Sequence, residues 1–523
     1  MNRKVLILLG IFVLSRVFFI NPLPVFFDSS EYLIRLSNLN YFQAIISGHA
    51  PLHPSYIILF WPIFHIFNLL NINPSFAVIF TQTIFSSIAI YCFYRLVEII
   101  VNKKTAIIAA TISALMPIYW IVNVSIMTES TCVNFFIISA YFLAKYLKSK
   151  LRLTYLVLGL ASFSLALLTN PLVILWTPLL LSIVYCLRKD KFLTMFLSII
   201  LAVFFAILIN SFFISSALKI SLLNGVSQYL FGVDIKITPD VSSLLSILRF
   251  IRNAFMQILQ NSTSIILILS FISFIRIFKK NKKLFVIAVL WILPIIITSQ
   301  WYDPLLFGRH GLIAGFGFAF LTAIFLEKRR TLFFAIIGYM LVISLPALFL
   351  LRQPIPYLQV QEFVKTLPQG LLIESHFARP QIERNYSGEI IFINEPGWSK
   401  ENLKKTIDTY LIKAKPIFIT SQALSDPYGI YSGPFLYPLS LSYAKDPELG
   451  DTMISYLMKK YQIIDEKAGL TIYKIISKEK SKYPNIPKLN NNEHRIDYFD
   501  PVIQLWFLID KAKIIQSHSM IKG

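Results

Sequence analysis

Apolar runs of about 17–25 residues, the length needed to cross ~30 Å of hydrocarbon, recur through the first 350 positions of this chain. A polypeptide with that pattern cannot hide its apolar surface in one water-soluble core. It reads as an α-helical polytopic membrane protein. Composition agrees: 56% of the 523 residues are hydrophobic and 15% aromatic. The net charge of +22 would point to nucleic acid in a soluble chain. Here many Lys and Arg sit in short loops between apolar runs, where orientation and anionic membrane lipids account for them. No nucleic-acid partner is expected. Cys92, Cys132 and Cys186 lie inside apolar runs and form no CxxC pair, so neither a structural zinc site nor a disulfide framework is expected. The start, MNRKVLILLGIFVL, has a basic head and an apolar run but no small-residue cleavage site after it, and reads as an uncleaved first helix.

The positive-inside rule orients the runs. Arg3 and Lys4 place the N-terminus in the cytoplasm, and a span at 5–20 leads out. Residues 53–72 are apolar enough to cross, but counting them would put Lys103 and Lys104 outside. Pro54, Pro62 and His65 also interrupt them, so this stretch reads as an interfacial or re-entrant helix. Further spans are expected at 75–100, 105–123, 129–147, 153–169, 171–187, 192–214, 263–280, 284–300, 311–327 and 331–350. The total is about 11 spans, and the clusters at 102–104, 148–152, 188–191, 279–283 and 327–330 then all face inward. The outer side holds residues 21–52, VSIMTES (124–130), a long loop near 215–262 and SQWYDPLLFGRHG (299–311). Within the long loop, amphipathic SLLSILRFIRNAFMQIL reads as another interfacial helix.

Near residue 351 charges and prolines appear and the apolar runs shorten. LLIESHF, GEIIFIN, KPIFITS and LTIYKII read as buried strands, and SKENLKKTIDTYLIKA as an amphipathic helix with Ser399 as N-cap. DTMISYLMKKY reads as another helix. Strand–helix–strand order predicts a C-terminal extracytoplasmic α/β domain. The expected division is a transmembrane module at 1–350, a soluble domain at 351–480 and a basic tail at 481–523, packed on the domain or the membrane.

Several ionisable residues stand at span ends. Asp28, just past the first span, has two readings. It is a carboxylate able to take a proton from a hydroxyl, or it is the N-cap of a helix starting at Ser29, since Asp-Ser-Ser-Glu fits a capping box. Glu31 and Arg35 are spaced for an i, i+4 ion pair. In HAPLHPSY, His49 and His53 are four apart but flank Pro51. Together with Tyr56 they suit a polar substrate-cavity lining better than a metal site. Glu129 opens the fourth span, either as a functional acid or as a cap helped by Thr128 or Ser125. Arg309, next to His310, sits on the side where Arg is disfavoured. Phosphate recognition, an ion pair to Asp303 and snorkelling would each explain it. Arg249 and Arg252 are weaker candidates, and Thr169-Asn170-Pro171 is a turn.

Taken together, FFDSSEYLIRLS, HAPLHPSY, SIMTES and FGRHGLIAG, with a soluble domain behind them, resemble the GT-C superfamily of integral-membrane glycosyltransferases. The nearer types are the protein O-mannosyltransferases and aminoarabinose-transferase-like enzymes. The resemblance implies a sugar moved from a polyprenyl-phosphate carrier to a hydroxyl at the outer leaflet of a cell membrane. It also implies that Asp28 is the catalytic carboxylate, Glu129 the second acid and Arg309 the phosphate-binding residue. The sequence departs from the mannosyltransferase pattern, which has adjacent Asp-Glu at the first site and often Tyr after the Arg. The acceptor is left open among protein, lipid and glycan. No cofactor is required, although two carboxylates could hold Mg²⁺ or Mn²⁺. The rival classes are a lipid-linked-sugar flippase and a non-catalytic scaffold with an outer binding domain. Transporters place charges near mid-membrane and repeat their halves, and neither feature is visible here.

Overall fold

In the computed structural model, the described residues are 3–22, 27–48, 52–149, 152–231, 244–298, 308–351, 364–374, 385–392, 400–420, 461–465 and 472–477. They fall into two compact units, one holding 3–22 and 31–351, the other holding 27–30 and the residues from 364 onward. The first is helical: α1 (Arg3–Phe19), α2 (Phe27–Leu36, which begins in the other unit), α3 (Tyr41–Ile46), α4 (Pro54–Leu69), α5 (Pro74–Ile100), α6 (Lys103–Leu115), α7 (Pro117–Asn123), α8 (Thr128–Lys148) and α9 (Leu153–Thr169). After a 3₁₀ turn at Pro171–Trp176 come α10 (Thr177–Leu187), α11 (Phe192–Leu218), α12 (Leu222–Phe231), α13 (Leu244–Ser262), α14 (Ser264–Lys280) and α15 (Lys282–Thr298). A second 3₁₀ turn, Gly308–Gly311, leads into α16 (Leu312–Leu326) and α17 (Arg330–Leu351).

Caps set many of these starts. The Asn73 side chain accepts from the Phe76 N–H at 3.0 Å, with Pro74 in the first helical position, and Asn102 accepts from Lys104 and Thr105, each at 2.9 Å. Each of the eleven expected spans carries a helix over most of its length. Among the described residues, however, only Pro74–Ile100, Thr128–Lys148, Lys189–Leu218 and Arg309–Leu326 are by themselves long and apolar enough to cross a membrane. Two bent pairs qualify jointly: α6 with α7, at 61°, and Ala254–Ser262 with α14, at 98°. The first bend falls at Met116-Pro117. Pro117 has no N–H to donate to the Ser113 carbonyl, so the ladder breaks there. One of the loosened carbonyls, that of Ala114, accepts instead from the buried Arg16 guanidinium, which also lies over the Phe12 and Trp120 rings at 4.0 and 4.3 Å. At the second bend Thr263 takes a positive φ of 68°. The stretch expected at the interface, 53–72, is the 16-residue apolar helix α4 with Pro62 inside it.

Glycines let α16 pack closely. A Cβ on Gly317 would stand 2.8 Å from the Trp291 ring, and one on Gly315 2.8 Å from Met116 Cε. Trp291 donates to the Ile313 carbonyl at 2.9 Å, and Trp176 donates to the Trp291 carbonyl at 2.9 Å. The stretch FGRHGLIAGFG therefore packs through its glycines as well as presenting its charges.

The second unit is a mixed sheet of five strands: β1 (Leu371–Glu374), β2 (Glu389–Phe392), β3 (Ile417–Thr420), β4 (Tyr461–Asp465) and β5 (Ile472–Ser477), in the order β2-β1-β3-β5-β4. β1 is parallel to β2 and β3, in register Ile373↔Ile391 and Leu371↔Ile417, and β5 runs antiparallel to β3 and β4. α18 (Lys400–Ile412) lies between β2 and β3 in the chain, as expected for SKENLKKTIDTYLIKA. Leu372, Phe418, Tyr386, Val364 and Leu367 form the core of this unit. The four expected strands are present in part or whole, whereas β4 was missed. Its YQIID segment follows DTMISYLMKKY, and that expected helix, like Ser399 and the tail at 481–523, lies outside the described residues apart from Tyr461, which is strand.

Two glycines test the packing account. Gly317→Ala is expected to destabilise by about 1–3 kcal/mol through overpacking against Trp291. Gly338→Ala, where a Cβ meets nothing within 4 Å, should be neutral or stabilise by up to ~1 kcal/mol through helix propensity. Thermal unfolding midpoints of the two variants in detergent decide the matter, and equal shifts would refute the close approach.

Candidate functional site

In the helical unit the site begins where α8 starts. Its N-cap is Met127, whose side chain caps nothing, and Ser125 donates to the Ile121 carbonyl at 3.1 Å. Neither Ser125 nor Thr128 caps this helix, so that expectation is corrected. The Thr128 hydroxyl donates to Glu129 Oε2 at 3.3 Å. Glu129 is only 3% exposed, and its Oε1 lies 2.8 Å from Arg309 Nε and 3.9 Å from His310 Nδ1. A carboxylate so buried persists as an ion only beside a compensating charge. Its place in the first helical turn adds the favourable end of the helix dipole. Arg309 therefore pairs with Glu129 in this structure, while Asp303 lies outside the described residues.

The helix α2 supplies the next layer. It starts at Phe27, two residues before the expected Ser29, so Asp28 sits half-buried in the first turn and not at the cap. Glu31 and Arg35 do pair, at 3.8 Å. Arg35 is buried, and its guanidinium also donates to the carbonyls of Ala44 (3.0 Å), Ile45 (2.8 Å) and Leu52 (2.5 Å). Burial pulls its pKa down and Glu31 opposes that shift. Gly48 closes the same knot. At φ +116° it lies against Glu31 Oε1 and Arg35 Nη1, where a side chain has no room.

Tyr32 connects these layers. Its hydroxyl lies 3.3 Å from Thr128 Oγ1, and its ring packs edge-on to His53 and beside Tyr56, with centroids 5.8 and 5.2 Å away. His53, in the left-handed region at φ 46°, sets its Nδ1 2.5 Å from the Thr169 carbonyl. A carbonyl only accepts, so Nδ1 carries a proton. Ser55 donates to the Leu165 carbonyl at 3.0 Å. The Thr169–Pro171 stretch is a turn, as expected: Asn170 Oδ1 accepts from Leu172 N at 3.0 Å. His49 lies outside the described residues, as do the side chains of Arg249 and Arg252 on α13. Among the described residues no group of three or more His, Cys, Asp or Glu side chains is placed to hold a metal ion.

Sequence reasoning missed a buried polar network behind Glu129. The Tyr56 hydroxyl donates to Gln82 Oε1 at 3.4 Å, and Gln82 Nε2 donates to the carbonyls of Val122 (2.9 Å) and Ser125 (3.0 Å). Tyr119 donates to Asn134 at 2.7 Å, Asn134 to Ser86 at 2.7 Å, Ser86 to Asn123, and Asn123 to the Tyr119 carbonyl at 2.6 Å. The signal was present: an amide inside an apolar run must find partners, and marks a place where packing is specified.

Parts of the chain are similar to known proteins. A family model described as dolichyl-phosphate-mannose-protein mannosyltransferase matches residues 51–214, a stretch that includes His53, Tyr56, Gln82 and Glu129. Among solved structures, ArnT from Cupriavidus metallidurans in the apo state covers 90% of this chain and 97% of its own, at 9% identity and TM-score 0.51. The fold of the chain is therefore similar to that of ArnT. The Archaeoglobus fulgidus oligosaccharyltransferase in the apo form also matches, at 13% identity and TM-score 0.48 over 92% of this chain and 74% of its own. So does AglB from the same organism, in complex with an inhibitory peptide and a dolichol-phosphate, at 12% identity and TM-score 0.47 over 92% and 75%. No curated protein sequence matches the chain.

The ion pair in the helical unit can be tested directly. Glu129→Ala strands the buried Arg309 charge and is expected to cost about 3–5 kcal/mol. Adding Arg309→Met should recover part of that loss. Denaturation midpoints of the wild type, both single variants and the double form a cycle, and strictly additive losses would show that the two side chains do not couple.

Proposed function

We propose that the chain is a glycosyltransferase of the hexosyltransferase type. It takes a sugar from a polyprenyl-phosphate donor at the outer face of a cell membrane and passes it to a hydroxyl acceptor with inversion. The observation that carries this reading is the meeting of Glu129, Arg309 and His310, separated by 180 positions in sequence, beside Tyr32, His53 and Tyr56. The family match over 51–214 supports it.

The chemistry follows from the residue types. The lipid phosphate of the donor is already a fair leaving group, so the protein has mainly to position the reactants and stabilise charge. Asp28, in the first turn of α2, takes the proton of the acceptor hydroxyl. The freed oxygen attacks the anomeric carbon from the face opposite the phosphate, the anomeric C–O bond breaks, and the phosphate departs on its lipid. Arg309 meets the growing phosphate charge with its planar fork of N–H donors. Glu129 orients that fork at Nε, and Glu31, with Arg35, holds α2. In this reading the chain crosses the membrane about 11 times, α4 and α13 lie in the interface, and the N-terminus is cytoplasmic. The sheet unit is an extracytoplasmic domain within 351–480, and the tail follows it. The acceptor is a protein, a lipid or a glycan.

Incubating the purified protein with a panel of polyprenyl-phosphate sugars should show one donor losing its sugar. Asp28→Asn should slow that transfer by about 10²–10⁴-fold at normal expression. Near-normal turnover of the variant would remove Asp28 from the chemistry.

A further inference from the structure

Glu129 and Arg309 come from the α8 start and the 308–311 turn, while α2 comes from the loop after α1, and something must hold these pieces in one register. The Thr128 hydroxyl has a single proton. Its neighbour Glu129 is a carboxylate that accepts only, so that proton is committed to Oε2, at 3.3 Å. The oxygen of Thr128 must then accept from the other group it meets, the Tyr32 hydroxyl, also at 3.3 Å. The hydrogen bonds therefore run in one direction, from Tyr32 to Thr128 to Glu129, and Glu129 holds Arg309 on its other oxygen. Tyr32 is 2% exposed, and its ring is wedged against His53 and Tyr56, so the hydroxyl cannot swing away. Both contacts lie at the long end for O–H···O bonds and have room to shorten when ligand loads the site.

We propose that Tyr32 and Thr128 are positioning residues: the phenol hydroxyl, acting through Thr128, sets the orientation of Glu129 and thereby of Arg309. The proposal rests on the glycosyltransferase reading for what the site does, but not for the relay itself. It gives α2, whose first turn carries Asp28, a directed connection to the ion pair. A sugar-transfer site needs its groups held to within about an ångström, since small misplacements cost large factors in rate.

The test uses full-length protein in lipid nanodiscs and four variants. Tyr32→Phe removes one oxygen and keeps the ring packing. Thr128→Val removes the hydroxyl at equal volume, Thr128→Ser restores it, and the fourth is the Tyr32→Phe/Thr128→Val double variant. Amide hydrogen exchange is expected to quicken about threefold to tenfold at 129–131 and 309–312 in Tyr32→Phe and in Thr128→Val. The double variant should be no worse than either single, and Thr128→Ser should stay near wild type. Unchanged exchange in Tyr32→Phe, additive effects in the double variant, or a Thr128→Ser variant as loose as Thr128→Val would each overturn the relay. In turnover, Tyr32→Phe should lower kcat about tenfold or more at near-constant thermal midpoint. Normal turnover there, with Asp28→Asn inactive, would overturn the relay and leave the enzymatic reading standing. Absence of sugar transfer by the wild type would overturn that reading, and the exchange measurements would still judge the relay.

Discussion

Glu129 and Arg309 have both nearly left water, and each is tolerable only because of the other. An isolated carboxylate or guanidinium in such surroundings loses several kcal/mol of hydration that nothing returns. The pair therefore imposes a geometric condition on the helical unit: the start of α8 and the 308–311 turn must arrive at one place. Much of the local packing serves that condition. A Cβ on Gly311 would stand 2.7 Å from both Asn261 Nδ2 and Ile295 Cδ1, so with any other residue these side chains would have to give way for the turn to seat this deeply. Gly315 and Gly317 bring α16 equally close to Met116 and Trp291.

A second constraint acts with the first. Backbone that leaves the helix ladder in apolar surroundings must find partners elsewhere, and this chain places a polar side chain at each such interruption near the site. Arg16 answers the Ala114 carbonyl at the α6–α7 break, Gln82 answers Val122 and Ser125 in the turn before α8, and His53 answers Thr169 at the end of α9. The interruptions are also the places where the functional candidates sit. Broken helices thus do two jobs: they expose carbonyls that side chains can grip, and they aim helix starts at the site.

How much of this could be read from sequence depends on the range of the interaction. Local signals were legible. Glu31 and Arg35 announced their pair, and LLIE, EIIF and IFIT announced strands. Glu129 and Arg309 were legible as candidates because charge at a span end is costly, but their pairing was not, since nothing local in either segment refers to the other. Arg35 shows the same limit from the other side. Its spacing to Glu31 was visible, whereas the carbonyls of Ala44, Ile45 and Leu52, which take most of its N–H groups, belong to a loop whose path the sequence does not spell out. β4 was missed because its five residues follow an amphipathic stretch that masks the change of period. The cap reading of Asp28, one of the two its sequence offered, rested on the spacing of Asp-Ser-Ser-Glu, but the helix starts at Phe27 and takes Asp28 into its first turn.

The two arginines near α2 and α8 divide the work by how their charge is met. Arg35 is satisfied mostly by neutral carbonyl dipoles inside its own loop, with Glu31 at the longer distance of 3.8 Å. Such an arginine is a staple, since its partners are backbone groups that cannot be exchanged without unfolding the loop. Arg309 is met by a side-chain carboxylate at 2.8 Å, a partner that can shift by a rotamer when another anion arrives. α2 is gripped through Tyr32 and Arg35, three residues apart and so neighbours on one side of the helix, close to one turn. A helix held at two such points cannot roll about its own axis, so the staple steadies the helix from which Tyr32 reaches Thr128.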